Sequence, residues 1–425
     1  MAGYKQPAGS FAGSDGPGVP RKLPRRGLLF GGAAAGLGAL TAAGAQLAGA
    51  GVQRAATTAP VDSAESVHGS GVIPFHGDRQ AGITTAAQAH GVFVALDLRP
   101  GTTRADVRSL LRLLSDDAAD LCAGRPALAD TEGDLARVPA RLTVTFGVGP
   151  GLVAAVDPAQ APEWLKPLPA FSIDRLQPGF SDGDLLLQVC ADDPLTVAHA
   201  QRMLLKDSRS FATVRWVQAG FRRSYGSEKS GTTMRNLFGQ VDGTANPAPD
   251  STDYEQVVWG GGDIPSWIKN GTSVVVRRIA MNLDKWDEAD RIGREESVGR
   301  RLSNGAPLTG THEHDEPDFA AVSKLGFPVI SEVSHLRRAR PADGSQRIFR
   351  RAYNYDAAPG AGGVSDSGLI FVSYQADVDK QFTPIQRRLD QMDMLNQWTT
   401  PVGSAVFAIP PGCRDGGFVG DVLFA

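Results

Sequence analysis

Three short segments of the 425-residue chain carry the residue types from which a reactive site could be built. In Gly239-Gln240-Val241-Asp242-Gly243-Thr244-Ala245-Asn246-Pro247 a carboxylate stands on a glycine-rich turn. Glycine has no Cβ, so a ligand can come close to such a carboxylate, and Asp242 could serve as an acid–base group. Asp-Gly between apolar runs is also an ordinary turn, so the motif needs partners elsewhere. His335 stands in Ser334-His335-Leu336-Arg337-Arg338-Ala339-Arg340-Pro341, and Arg347-Ile348-Phe349-Arg350-Arg351-Ala352-Tyr353-Asn354-Tyr355 follows soon after. So basic a stretch in a chain of net charge −3 calls for an anionic partner. Ile348 and Phe349 among the arginines mark a partly buried strand, where guanidinium groups need carboxylate, phosphate or propionate. A haem meets every demand: propionates for arginines, iron for a lone histidine, and an apolar pocket for the macrocycle.

Other histidines offer less. Thr311-His312-Glu313-His314-Asp315-Glu316 has a His-x-His spacing but lacks the remaining ligands of a zinc or non-haem iron centre. It reads as a charged loop at the surface or at a pocket rim. Cys122, Cys190 and Cys413 make neither a disulfide framework nor a zinc site, and are expected as free buried thiols.

The elements that must position these groups follow from periodicity. Residues 91–98, 142–146, 184–190 and 214–221 read as short strands. Thr103-Arg104-Ala105-Asp106 is a capping box, and Val107, Leu110, Leu111 and Leu114 give the helix behind it an apolar face. A second helix is expected over 194–205. Strand, helix, strand, strand, helix, strand is the order of a ferredoxin-like unit. The order recurs with a strand at 273–281, a helix beginning at 286–292, a strand at 369–374, a helix at 385–398 and a strand at 402–409. The expected fold is α+β, with two ferredoxin-like halves built on antiparallel sheets. The first half spans 61–228, and the second, 229–425, carries the haem pocket. Residues 293–346 have little periodicity, and a loop that long is usually functional or disordered.

Hydrophobic residues make up 42% of the chain and charged residues 21%, enough for an ordinary core. The slight acidic balance argues against a nucleic-acid binder, which would usually carry a basic excess. Residues 1–60 stand outside the fold. Pro24-Arg25-Arg26-Gly27-Leu28-Leu29-Phe30 opens a weakly hydrophobic Gly/Ala run and resembles a twin-arginine signal. The run is long enough to span a bilayer but is too rich in Gly and Ala for a good anchor, and small residues at 48–50 suit cleavage. The twin-arginine machinery exports folded proteins, so a cofactor inserted beforehand and a destination outside the cytoplasm, periplasm or cell-wall side, are expected.

Gly239-Gln240-Val241-Asp242-Gly243 also matches the Gly-x-x-Asp-Gly signature of the dye-decolourising peroxidases, which the chain resembles over residues 72–425. His335 in its Ser-His-Leu-Arg setting resembles that family's proximal haem ligand, and Ile348-Phe349-Arg350 the strand bearing its distal arginine. Phe75-His76-Gly77-Asp78-Arg79-Gln80-Ala81-Gly82-Ile83, Gly299-Arg300 with Gly305-Ala306-Pro307-Leu308, and Gly403-Ser404-Ala405-Val406-Phe407 are similar too. With the export signal, the chain is similar to the exported bacterial subgroup that includes deferrochelatases. The resemblance implies a peroxidase with one haem b per chain, reducing hydrogen peroxide and oxidising an organic reductant such as a dye or phenolic. It implies His335 on the iron, Asp242 moving a proton between the peroxide oxygens, and Arg350 stabilising the departing oxygen. Arg277 and Arg278 are expected at the propionates, with Arg351, Gly243 and Thr244 as further cofactor contacts. Asp393, or second to it Asp390, should accept from the other ring nitrogen of His335. Ala352 departs from relatives that carry Asn or Ser there. The alternative is a haem-handling protein that releases iron, with incidental peroxidase activity. Homo-oligomers are compatible with either.

Overall fold

Short β-branched and apolar runs bounded by turns build the two sheets. The computed structural model describes residues 68–249, 251–259, 264–341, 345–360 and 363–425, so the twin-arginine segment lies outside the described residues. In chain order the elements are β1 (His90–Leu98), α1 (Arg104–Cys122), β2 (Thr143–Val148), α2 (Pro150–Val156), β3 (Leu185–Ala191), α3 (Pro194–Ser208) and β4 (Ala212–Phe221). The second half contains a single turn α4 (Thr252–Tyr254), β5 (Thr272–Met281), α5 (Leu283–Glu288), α6 (Arg291–Val298) and α7 (His335–Ala339). It ends with β6 (Phe349–Arg350), β7 (Tyr353–Ala357), β8 (Asp366–Gln375), α8 (Thr383–Met392) and β9 (Thr399–Ile409).

The first sheet has the order β2-β3-β1-β4 and the second β9-β5-β8-β7, with β6 continuing the β8 edge. All neighbours are antiparallel. Both orders are those of a ferredoxin-like unit, as the sequence pattern predicts. The sheets meet edge to edge through single pairs, Val148↔Ala408 and Phe221↔Asn354. Side chains alternate along each strand. On β1, Phe93 and Ala95 enter a core shared with the second sheet, while Val92, Val94 and Leu96 pack under the helices. The α1 capping box forms as expected, with Thr103 and Asp106 capping reciprocally.

Two expected helices are each broken by an aspartate. The stretch opening at 286 splits into α5 and α6, because Ala289 is extended and the Asp290 side chain accepts from Gly293 N. The helix expected through 398 ends at Met392, where Asp393 turns extended (ψ 122°) and caps a following 3₁₀ turn. The three cysteines are free and buried. No helix among the described residues is long and apolar enough to cross a membrane.

Candidate active site

A cavity of about 670 Å³ lies between the helical face of the second sheet and the helices α6, α7 and α8. Its size falls within the 300–1,000 Å³ range common for ligand clefts, roughly. Ile279 and Met281 of β5, Leu369 and Phe371 of β8, and Phe238 give it apolar walls, and α8 contributes Ile385 and Leu389. The wall is not made by the second half alone: Ile173, in the connection between α2 and β3, also lines it.

His335 opens α7 at the cavity wall, and a third of its side chain remains accessible. Its Nδ1 donates to Asp393 Oδ2 over 2.6 Å. Asp393 is 6% exposed, and its other oxygen accepts from Leu395 N at 3.0 Å. The bend that ends α8 thus aims this carboxylate at the imidazole. Met394 N bonds Val333 O at 2.9 Å and ties the two segments together. Burial alone would pull the imidazole pKa down; the Asp393 charge and hydrogen bond outweigh it and raise the pKa. With Nδ1 committed to Asp393, Nε2 is the ring nitrogen left for the cavity.

Asp242 lines the same cavity. Asn236 Oδ1 accepts from Phe238 N (3.1 Å) and Gln240 N (3.2 Å), and Asp242 N bonds Met234 O at 2.8 Å. Gly243 takes φ 136°, a conformation that L side chains rarely adopt. Arg350 Nη1 donates to Asp242 Oδ1 over 2.8 Å, with both side chains largely buried. Asp242 and Arg350 lie near enough to His335 for both charges to act on its ring. One cavity therefore brings together an anchored imidazole, a carboxylate and a guanidinium.

Comparison with known proteins decides what this arrangement belongs to. Family models for the N-terminal and C-terminal parts of Dyp-type peroxidases match residues 80–222 and 233–414. The chain is 38% identical over 358 residues to a dye-decolorizing peroxidase of Thermobifida fusca, covering 81% of this chain and 83% of that one. It is 35% identical over 362 residues to a deferrochelatase of Escherichia coli K12, covering 80% and 84%. The crystal structure of a DyP-type peroxidase from Cellulomonas bogoriensis superposes with a TM-score of 0.82 at 56% identity, covering 84% of this chain and 99% of that one.

The chain belongs to the Dyp-type peroxidase family. Its activity is that of a haem-dependent peroxidase, an oxidoreductase acting on peroxide and a reductant.

Against that family background, the other residues singled out in the sequence separate clearly. Arg277 lines the cavity and is 1% exposed; it ion-pairs with Asp174 and lies over Phe171, while its Nε and Nη1 have no hydrogen-bond partner among the described residues. Arg278, one residue on, faces the opposite side of β5, held between Phe180 and Tyr355 at 4.7 and 3.6 Å from the ring centres. Arg351 is likewise turned away from Arg350 and donates to Thr85 O and Gln88 Oε1 between the sheets. Arg278 and Arg351 are thus not at the cavity, because strand alternation lets only one of two adjacent arginines face it. Gly243 shapes the turn without lining the cavity, whereas Thr244 lines it and donates to Glu313 Oε1 at 2.9 Å. Asp390 is not the acceptor for His335: it accepts from Ser172 Oγ and Ile173 N at 2.8 and 3.1 Å.

The histidine-containing loop forms part of the rim, with His314, Asp315 and Glu316 at the cavity. Among the described residues, no group of three His, Cys, Asp or Glu is placed to hold a metal ion. Three contributors escaped the sequence reading. Arg300 lines the cavity and donates to Gly305 O (2.6 Å) and Glu313 O (2.9 Å); burial, then repulsion from Arg350, lowers its pKa. Gly299-Arg300 lay within a family-like motif, so a signal existed. Asn246, in the motif with Asp242, contacts the backbone of Arg350. The Ile173–Asp174 contribution had no local signal, since it comes from the other half of the chain.

Proposed function

We propose that the cavity holds one haem b, with His335 Nε2 as the iron ligand and Asp242 and Arg350 as the residues that act on hydrogen peroxide. The observation that carries this reading is the convergence, on one apolar-walled cavity, of an Asp393-anchored imidazole and an Asp242–Arg350 pair. The residues fit the group. The walls are apolar, and Arg277 presents two buried donors that have no partner among the described residues, which suit a propionate carboxylate. Asp393 fixes the tautomer of His335 and increases the basicity of Nε2.

Haem, when bound, supplies the electrons that reduce the O–O bond. The chain's own residues do the proton work. Asp242 accepts a proton from one peroxide oxygen and returns it to the other, so that the departing oxygen leaves as water. Arg350 stabilises the negative charge that develops on that oxygen as the bond breaks. Phe238, Leu369 and Phe371 give the cavity apolar walls, and the lower local polarity strengthens both effects. The electrons are restored by an organic reductant, a dye or a phenolic, and the name of the Thermobifida relative supports dyes within that class. The Pro24–Phe30 motif supports export in the folded state by the twin-arginine machinery, to the periplasm or cell-wall side.

Haem reconstitution tests the reading. Wild-type protein should bind one equivalent with a Soret band of histidine-ligated haem and change its spectrum on one equivalent of hydrogen peroxide. His335→Ala should lose that ligation. A wild-type protein that shows no Soret band after reconstitution contradicts the proposal.

A further inference from the structure

The segments carrying Asp242 and Arg350 are joined by two links of different kinds. One is the side-chain ion pair at 2.8 Å. The other involves neither reacting side chain. β6 is only two residues long and pairs with β8 along one edge, Phe349↔Tyr374 and Arg350↔Ser373. Arg351 N donates to Val372 O on β8 at 2.8 Å, so strand alternation turns the N–H and C=O of Arg350 toward the other edge. Among the described residues no strand lies on that edge to receive them. Asn246 does so instead: Arg350 N donates to Asn246 Oδ1 (3.0 Å), and Asn246 Nδ2 donates to Arg350 O (2.7 Å). Only this orientation of the amide satisfies both bonds. The side chain thus replaces one rung of a β-ladder. Its own backbone closes the Asp242 turn, with Asn246 N bonded to Gly243 O at 2.9 Å. Pro247 behind it restricts Asn246 to extended conformations.

We propose that Asn246 is a positioning residue for the peroxide reaction. It fixes the distance between the Asp242 turn and the Arg350 backbone independently of the ion pair. This inference rests on the reading of Asp242 and Arg350 as the peroxide-handling residues. The ion pair must rearrange when both side chains turn to a substrate. The amide clamp stays closed, so the two groups keep their alignment while their mutual contact changes. Alanine opens both backbone bonds. Aspartate, the same shape, keeps the acceptor for Arg350 N and loses the donor to Arg350 O.

The test uses haem-loaded wild type, Asn246→Ala, Asn246→Asp, Asp242→Asn and the Asn246→Ala/Asp242→Asn double variant. Hydrogen exchange, read by mass spectrometry on peptides spanning Arg350, should be about tenfold faster in Asn246→Ala and intermediate in Asn246→Asp. Exchange elsewhere and the Soret band should be unchanged. The rate constant with hydrogen peroxide should fall about 10- to 100-fold in Asn246→Ala. In the Asp242→Asn background the same change should cost less than about threefold, because there is no longer a pair to align. If Asn246→Ala does not fold, Asn246→Asp carries both readouts. Unchanged exchange at Arg350 overturns the proposal, as does an equal penalty in the Asp242→Asn background. If Asp242→Asn is slow while Asn246→Ala reacts like wild type, only the positioning role fails. If Asp242→Asn itself reacts like wild type, the reading beneath it fails and the positioning role falls with it.

Discussion

Asp174→Asn is the substitution whose consequence the structure specifies most sharply. Asp174 comes from the first half and meets Arg277 on β5 of the second, with the two side chains 9% and 1% exposed. Burial holds the Asp174 carboxyl above its usual range even beside the guanidinium, so the pair carries a large desolvation cost. Removing one member of such a pair strands the other, at a cost of about 3–5 kcal/mol. Asparagine keeps an acceptor for Arg277 Nη2, which places the loss near the lower end, about 3 kcal/mol. Replacing both residues, as in Arg277→Met/Asp174→Leu, removes the buried charges together and should cost less than about 1 kcal/mol. Urea denaturation of the haem-free protein at neutral pH, followed by circular dichroism, gives both values. Haem adds a further arm. A propionate beside Nε and Nη1 of Arg277 would give it a new acidic partner, so the Asp174→Asn penalty should shrink by at least half in the loaded protein. A loss below about 1 kcal/mol for Asp174→Asn, or a double variant as unstable as the single one, refutes the reasoning about this pair. An equal penalty with and without haem refutes the propionate contact of Arg277.

Three further outcomes follow from particular contacts. Asp393→Asn keeps an oxygen for Leu395 N but loses the charge facing His335, and should weaken haem retention about 10- to 100-fold in transfer to an apoglobin. Arg278→Gln, on the opposite face of β5, should leave haem affinity unchanged in the same assay, with some loss of stability from the lost stacking on Tyr355. The Asp207 carboxyl is pushed up to about 7 by burial and by its hydrogen bond to Asp117. Its folded value lies above the unfolded 3.8, so its contribution to stability is complete below that value and is lost as pH rises through about 7. Thermal melts should therefore show Tm falling between about pH 4 and pH 7, with a flatter profile in Asp207→Asn.

Much of the scaffold was legible because it rests on local patterns. The β-branched run Ser273–Val276 and the Thr103–Asp106 capping box sit where period and cap chemistry put them. His335, Asp242 and Arg350, which meet at one cavity, could be singled out because each stands in a distinctive short motif. The misplacements share one cause, a choice that depends on distant packing. Alternation shows that Arg277 and Arg278 face opposite ways, as do Arg350 and Arg351, but not which way is the cavity. Asp390 and Asp393 were comparable on an unbroken helix. The extended backbone at Asp393 ends that helix and sends one carboxylate to His335 and the other to the 172–173 loop. Residues Ile173 and Asp174 join the site across more than a hundred positions, a contact with no trace in their own neighbourhood.

The central claim is that Asp242 moves the peroxide proton while Arg350 stabilises the departing oxygen. Stopped-flow mixing of haem-loaded wild type, Asp242→Asn and Arg350→Leu with one equivalent of hydrogen peroxide tests it most directly. Both variants should keep the resting Soret band of wild type, and its change on mixing should slow by about 10²- to 10⁴-fold. Spectral changes as fast as wild type in both variants, with haem fully bound, would contradict it.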